Sequence, residues 1–315
     1  MNDRCKVAAV VGATASGKTA LSVELAVRLN GEVISADSMQ IYQGLSIATA
    51  KPDAEEMRGI RHHLIDFVPP DGEFSVAQYC ELAHRAIADV SSRGRLPIVC
   101  GGTGLYVDSL LNNIIFADIP SDEALRSRLN AEFEEQGGQG LLERLRMLDP
   151  ETAGKLSPAD KKRIVRGLEV YELSGTTLSE FNRRSRSFPD RYETCVIGIG
   201  YRDRQKLYDR INLRVDRMLE AGLLDEVRNF ASAGSGGTVI QAIGCKELLP
   251  YLRGEENLAI SVERLKRETR RFAKRQLTWF RRDDKIIWIY ADEADSFEQL
   301  ASLAENEIRS RLKIK

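Results

Sequence analysis

Apolar positions along this chain follow two periods, and the switches between them mark out its elements. A continuous apolar run at residues 7–11 leads into a Gly-rich turn, after which Leu21, Leu25, Ala26 and Leu29 recur at helical spacing. That is a strand, a loop and a helix. Further β-rich runs at 32–36 and 96–100 end in Asp37 and in Gly101-Gly102-Thr103-Gly104, and strand character returns at 194–199 and 286–290. Short, mainly apolar strands alternating with helical stretches predict an α/β fold: a parallel sheet flanked by helices. In such sheets ligands sit beyond the carboxyl ends of the strands, so Gly12 to Thr19, Asp37 and Thr103 are expected to converge on one pocket.

The pattern changes between residues 120 and 189. Amphipathic helical segments at 121–136, 139–148 and 161–173 are broken by Gly137-Gly138, Asp149-Pro150 and Ser157-Pro158, which predicts a helical insertion. The expected organisation is therefore a first part of the core at 1–119, the insertion at 120–189, and the resumed core at 190–315, with long helices near 205–231 and 256–281.

Composition sets limits on this picture. A chain of 315 residues that is 43% hydrophobic can bury a sizeable core, which excludes wholesale disorder. No apolar run approaches the roughly 18 residues that cross a bilayer. Residues 1–11 lack the apolar stretch of a secretory signal, so a cytoplasmic protein that avoids membranes is expected. Five cysteines without any C-x-x-C spacing are read as reduced thiols rather than a disulfide framework or zinc cage. His62-His63 has no third ligand spaced nearby, and a structural role is expected.

The strongest chemical signal is Gly12-Ala13-Thr14-Ala15-Ser16-Gly17-Lys18-Thr19, which fits G-x-x-x-x-G-K-[ST] between a strand and a helix. Its glycines let backbone N–H groups curl around phosphate oxygens, Lys18 adds a cation, and the Thr19 hydroxyl is placed to ligate Mg²⁺. A diphosphate or triphosphate is implied, without distinguishing ATP from another pyrophosphate ester. Asp37, at a strand end, has the chemistry of a general base and equally that of a turn residue.

Several segments resemble the tRNA dimethylallyltransferase (tRNA isopentenyltransferase) family: the phosphate loop, Ser35-Ala36-Asp37-Ser38, Thr49-Ala50-Lys51-Pro52, Gly101-Gly102-Thr103-Gly104-Leu105-Tyr106, Arg163-Ile164-Val165-Arg166, Ile243-Gly244 and Ala273-Lys274-Arg275-Gln276-Leu277-Thr278-Trp279. The resemblance runs through nearly the whole chain in the family's order. It implies transfer of a dimethylallyl group from dimethylallyl diphosphate to N6 of the adenine just 3′ of a tRNA anticodon, with Mg²⁺ as cofactor; a monomer is expected. It implies catalytic roles for Asp37 as base and for Thr103 and Arg214 at the leaving diphosphate. Contacts to tRNA are implied for Asp37, Ser38, Met39, Gln40, Thr103, Arg126, Lys161, Lys162, Arg163, Ile164, Val165 and Gln241, with Ser38 and Gln40 suited to reading the edge of a flipped base. The chain departs from the family at Ala13, where proline is common, at Ala48, where glycine is common, and at Cys245, where tyrosine often follows Ile-Gly. None of these removes a charged or nucleophilic group.

Residues 264–285 hold ten Lys or Arg against three acidic residues, a local net of +7 in a chain whose formal charge is −1. This is a footprint for a polyanion. Leu265, Phe272 and Trp279 recur every seven residues and predict an apolar core stripe, with Arg264, Arg267, Arg271 and Lys274 on another face. With the family resemblance, Arg271, Lys274 and Arg275 become candidates for RNA phosphate contact. Three other readings compete: a P-loop small-molecule kinase, a relative that prenylates free adenine nucleotides, and a non-catalytic RNA-binding module. The first predicts ATP consumption, the second has little use for the basic segment, and the third leaves the phosphate loop and Asp37 unexplained.

Overall fold

The computed structural model describes residues 4–115, 122–232 and 242–314. The chain divides into two compact units, Met1–Leu111 with Arg191–Lys315, and Asn112–Asp190.

The larger unit is built on β1 (Cys5–Gly12), β2 (Gly31–Ser35), β3 (His62–His63), β4 (Leu96–Gly101), β5 (Tyr192–Gly200) and β6 (Ile286–Tyr290). These form a six-stranded sheet in the order β3-β2-β4-β1-β5-β6, and every pairing is parallel. The α/β parallel sheet expected from the apolar runs is thus present. β1 is buried without interruption from Val7 to Gly12, because parallel strands are covered on both faces. The helices of this unit are α1 (Lys18–Arg28), α2 (Ala54–Met57), α3 (Val76–Ser92), α4 (Gly104–Leu111), α9 (Arg204–Glu220), α10 (Leu223–Ser232), α11 (Cys245–Leu252), α12 (Leu258–Phe280) and α13 (Phe297–Leu312). The helix anticipated at 205–231 is two, α9 and α10, because Gly222 takes a left-handed φ of 96° between them. One core cluster packs Leu21 and Leu25 of α1 and Ala301 and Ile308 of α13 onto Val10, Ile98 and Ile197 of the sheet.

The smaller unit is helical: α5 (Glu123–Leu148), α6 (Pro150–Ala153), α7 (Lys161–Ser174) and α8 (Leu178–Ser185). Gly137 interrupts α5 with φ 73° and ψ 162°, so this stretch is two helices meeting at the Gly-Gly pair. Asp149 accepts from Thr152 N at 3.0 Å to cap α6, where Pro150 occupies the first turn. Leu129, Leu141 and Leu145 of α5 meet Ile164, Val165 and Leu168 of α7 in a core belonging to this unit. No helix among the described residues is long and apolar enough to cross a membrane.

Candidate active site

The strand order decides what the chemistry-bearing loops can reach. β2, β4 and β1 are neighbours, so the loops leaving their carboxyl ends are neighbours too. The loop after β1 starts at Gly12, where a Cβ would lie 2.9 Å from Ile199 O and 3.0 Å from Ser16 Oγ. Ala15 (φ 62°) and Gly17 (φ 98°) both take left-handed conformations that fold the loop over the start of α1. The first amides of α1 have no intrahelical partner and carry the positive end of its dipole. Lys18 Nζ reaches back to Ala13 O at 3.4 Å. Burial draws its pKa below the ordinary value of 10.5, with Asp37 acting in the opposite direction and Arg214 with it.

Asp37 and Thr103 are held together by the ends of β2 and β4. Thr103 N donates to Ala36 O at 3.2 Å, and a Cβ on Gly101 would lie 2.1 Å from that same oxygen, so only glycine permits the approach. Thr103 Oγ1 accepts from Ser38 N at 2.9 Å and donates to Ser38 Oγ at 3.2 Å. Asp37 Oδ1 accepts from Met39 N at 2.9 Å and from Gln40 N at 3.4 Å. Asp37 is therefore a turn residue through one carboxylate oxygen, and its other oxygen has no hydrogen bond among the described residues.

Thr14, Lys18, Thr19, Asp37, Thr103 and Arg214 all line one cavity of about 310 Å³. Its lining also includes apolar Val215, Met218, Leu223, Ala242, Ile243 and Leu265. An adjoining cleft of about 590 Å³ takes in Ala15 to Ala20 of the phosphate loop, except Ser16, together with Arg210, Arg214 and Arg217, which share one face of α9. Arg210 Nε donates to Ala15 O at 3.0 Å. Burial lowers the Arg214 pKa, and Asp37 and Glu56 oppose the shift. The guanidinium remains charged in any protein environment. The Thr19 hydroxyl lines the same cavity as Lys18 and Arg214, a hard oxygen donor of the kind that suits Mg²⁺.

Other expected residues are placed differently. Gln40 lines the cavity, yet its amide is committed: Nε2 donates to Ala50 O at 3.0 Å and Thr49 O at 3.3 Å, and Oε1 accepts from Ser35 Oγ at 3.3 Å. It shapes the loop and has little left to read a base edge. Ile164 and Val165 are buried in the core of the helical unit, so any contact from that turn comes from exposed Lys162 and Arg163 or from Lys161, which pairs with Glu134 at 2.5 Å. Arg126 Nη2 pairs at 3.0 Å with Glu169, a fully buried carboxylate it shares with Arg166. Gln241 lies outside the described residues.

On α12 the predicted stripe is corrected. The buried line is Leu265, Thr269, Ala273, Gln276 and Phe280, while Phe272 and Trp279 are half-buried. A straight helix of 3.6 residues per turn drifts off a seven-residue repeat by about 20° each time, which carries Phe272 to the cavity and Trp279 against Gly104. Arg271, Lys274 and Arg275 are exposed. Arg271 pairs with Glu268 at 2.7 Å, and Arg275 lies over the Phe272 ring and reaches the cavity. His63 bonds Glu32 at 2.7 Å and His62 bonds Ile60 O at 2.9 Å, both structural partners.

Three contributors were not singled out by sequence reasoning. Glu226 accepts from Ser46 N, Ile47 N and Ala48 N at 2.7 to 2.8 Å and so fixes the loop beside the cleft. Lys51, its side chain only 5% exposed, donates to Tyr42 O at 2.5 Å and pairs with Asp66. Gln276 bonds both the phosphate loop and the Gly101-Gly102 turn. Lys51 and Gln276 lie within the segments that carry the family resemblance, whereas nothing in the sequence marked Glu226.

A family model described as IPP transferase matches residues 40–283 of this chain. The chain belongs to the IPP transferase family. Similar members include the tRNA dimethylallyltransferase of Acetivibrio thermocellus, 50% identical over 296 residues that cover 93% of this chain and 94% of that one. The tRNA dimethylallyltransferase of Caldanaerobacter subterraneus is 44% identical across 98% of this chain and 99% of its own. Among solved structures, the full-length tRNA isopentenylpyrophosphate transferase of Bacillus halodurans matches with a TM-score of 0.75 at 42% identity, covering 98% of this chain and 97% of that one. A eukaryotic dimethylallyltransferase captured acting on tRNA matches with a TM-score of 0.81 at 31% identity, over 95% of this chain and 77% of that one. The loops described above are thus those of an IPP transferase.

Proposed function

We propose that this IPP transferase moves a dimethylallyl group from dimethylallyl diphosphate to N6 of the adenine 3′ of the anticodon in tRNA, releasing diphosphate. The observation that carries the reading is the single cavity that gathers Lys18, Thr19, Asp37, Thr103 and Arg214 with apolar side chains. A diphosphate ester with a short hydrocarbon chain needs both halves of such a site.

The phosphate loop amides, Lys18 and Arg214 bind the diphosphate and stabilise the charge that develops as it leaves. The apolar side chains hold the five-carbon chain and keep water from the allylic carbon. An exocyclic adenine amine is a weak nucleophile because its lone pair is delocalised into the ring, so removal of a proton during attack lowers the barrier. The N6–C1 bond forms, the C1–O bond to diphosphate breaks, and the N6 proton passes to the free oxygen of Asp37. Thr103 fixes the Asp37 turn through Ser38 and presents its hydroxyl to the same cavity. Thr19 would hold Mg²⁺, which when bound supplies positive charge to the diphosphate oxygens.

The target base lies stacked in an anticodon loop and must be pulled out, at a cost of a few kcal/mol that grip on the surrounding stem-loop recovers. The exposed basic side chains of α12 and those at the start of α7 are the parts suited to that grip. The enzyme works as a monomer in the cytoplasm, where its tRNA substrates are made. Incubation with unmodified tRNA and either prenyl-labelled dimethylallyl diphosphate or γ-labelled ATP separates the readings. Label entering RNA only from the prenyl donor is the expected outcome, and phosphate transfer from ATP would favour a kinase.

A further inference from the structure

α12 turns Arg267, Arg271, Lys274 and Arg275 outward, and only one of its buried positions bears an amide. That residue, Gln276, is 5% exposed. A buried amide must find partners for its oxygen and its NH₂ group. Here both partners are backbone groups, and they belong to different loops. Oε1 accepts from Thr14 N at 2.8 Å, and Nε2 donates to Gly102 O at 2.9 Å. The amide has one allowed orientation, since an N–H must face an acceptor and a carbonyl must face a donor. A Cβ on Gly102 would lie 2.2 Å from Nε2, so glycine at this position is what admits the contact.

Thr14 belongs to the loop that takes the diphosphate. Gly102 precedes Thr103, whose Oγ1 holds Ser38 N next to Asp37. One side chain therefore spans from the leaving-group site to the base. We infer that Gln276 is a positioning residue that sets the distance between the diphosphate loop and the Asp37–Thr103 turn. The inference rests on the prenyl-transfer reading above. It makes α12 a two-sided element, with cations for a polyanion on its outer face and, on its inner face, the tie that aligns the reacting groups.

The chemistry of the amide supplies a test that a space-filling role would not pass. Gln276→Met keeps the side chain's length and removes both bonds. In Gln276→Glu an ionised carboxylate still accepts from Thr14 N but opposes Gly102 O with a second oxygen. Once protonated, its O–H donates to Gly102 O while its carbonyl accepts from Thr14 N, which restores the wild-type pattern. Burial favours that neutral form.

Wild type, Gln276→Met and Gln276→Glu should be compared in single-turnover transfer from labelled dimethylallyl diphosphate to unmodified tRNA, with both substrates saturating. Displacement of reacting groups by about 1 Å costs on the order of 10²-fold in rate. A decrease of that size is expected for Gln276→Met, with donor and tRNA affinities near wild type. The rate of Gln276→Glu divided by that of wild type should rise as pH falls, the division removing any pH dependence common to both. A wild-type rate in Gln276→Met, or a flat ratio for Gln276→Glu, overturns the inference. Should Gln276→Met fail to fold, the pH ratio of Gln276→Glu decides alone. RNA labelled by wild type with indifferent variants removes only the role of Gln276, whereas a wild type that labels no RNA overturns the transfer reading and this inference with it.

Discussion

Asp37 holds its turn through one carboxylate oxygen, so the base role proposed for the other is separable by substitution. Asp37→Asn retains an oxygen that can accept from Met39 N and Gln40 N, so the loop should persist. The base is removed, and the single-turnover rate should fall by about 10² to 10⁴ while donor and tRNA binding stay near wild type. A near-normal rate would remove Asp37 from the mechanism. At the far end of β2, Glu32 is buried, and its bond to Arg93, then His63, pulls its pKa from 4.5 to about 2. A carboxylate depressed in this way contributes stability that is full above its unfolded value and vanishes as pH falls through its folded value. The stability gap between wild type and Glu32→Gln should therefore narrow between about pH 5 and pH 2, which denaturant unfolding at several pH values would measure. Lys18, Thr19 and Asp37 were legible because chemistry demands them in contiguous segments or at a strand end. Gln276, Glu226 and Lys51 were not, since each acts on backbone groups far away in sequence that only the fold brings near.

Among the elements, α12 and α9 carry the clearest division of labour. Phosphate neutralisation releases counterions, so Arg271→Ala with Lys274→Ala should weaken tRNA binding and flatten its salt dependence by about one slope unit for each phosphate left without its cation. An unchanged slope would mean that this face is merely solvated. Arg210 and Arg217 flank Arg214 along the cleft, so replacing both with alanine should weaken dimethylallyl diphosphate binding more than tRNA binding, as calorimetry on each substrate would resolve. Most strands were readable because residues buried on both faces leave a largely apolar run, whereas β3, only His62 and His63, leaves none. Helix boundaries were less so. The break at Gly222 depends on a left-handed φ that the apolar spacing on either side does not signal. α3 and α13 are amphipathic helices whose patterns went unassigned beside the stronger signals of their neighbours.

At the scale of the whole molecule, the helical unit has its own core, so it is separable from the sheet that bears the cavity. Replacing residues 122–186 by a short linker should leave donor binding intact and strongly reduce transfer to tRNA, with equilibrium binding and single-turnover assays reporting the two halves. Undiminished tRNA modification by a folded deletion variant would remove this unit from substrate recognition. The insertion was visible in the sequence as a change of pattern, because a second core needs its own run of amphipathic helices.

In the proposed reaction the cavity joins an allylic diphosphate to the amine of an RNA adenine. Incubating the protein with Mg²⁺, labelled dimethylallyl diphosphate and either an unmodified anticodon stem-loop or free AMP, then digesting the RNA to nucleosides, tests this joining directly. Label is expected on the adenine 3′ of the anticodon, bonded through N6, with little on AMP. Efficient labelling of free AMP, or a stem-loop that stays unlabelled, would contradict it.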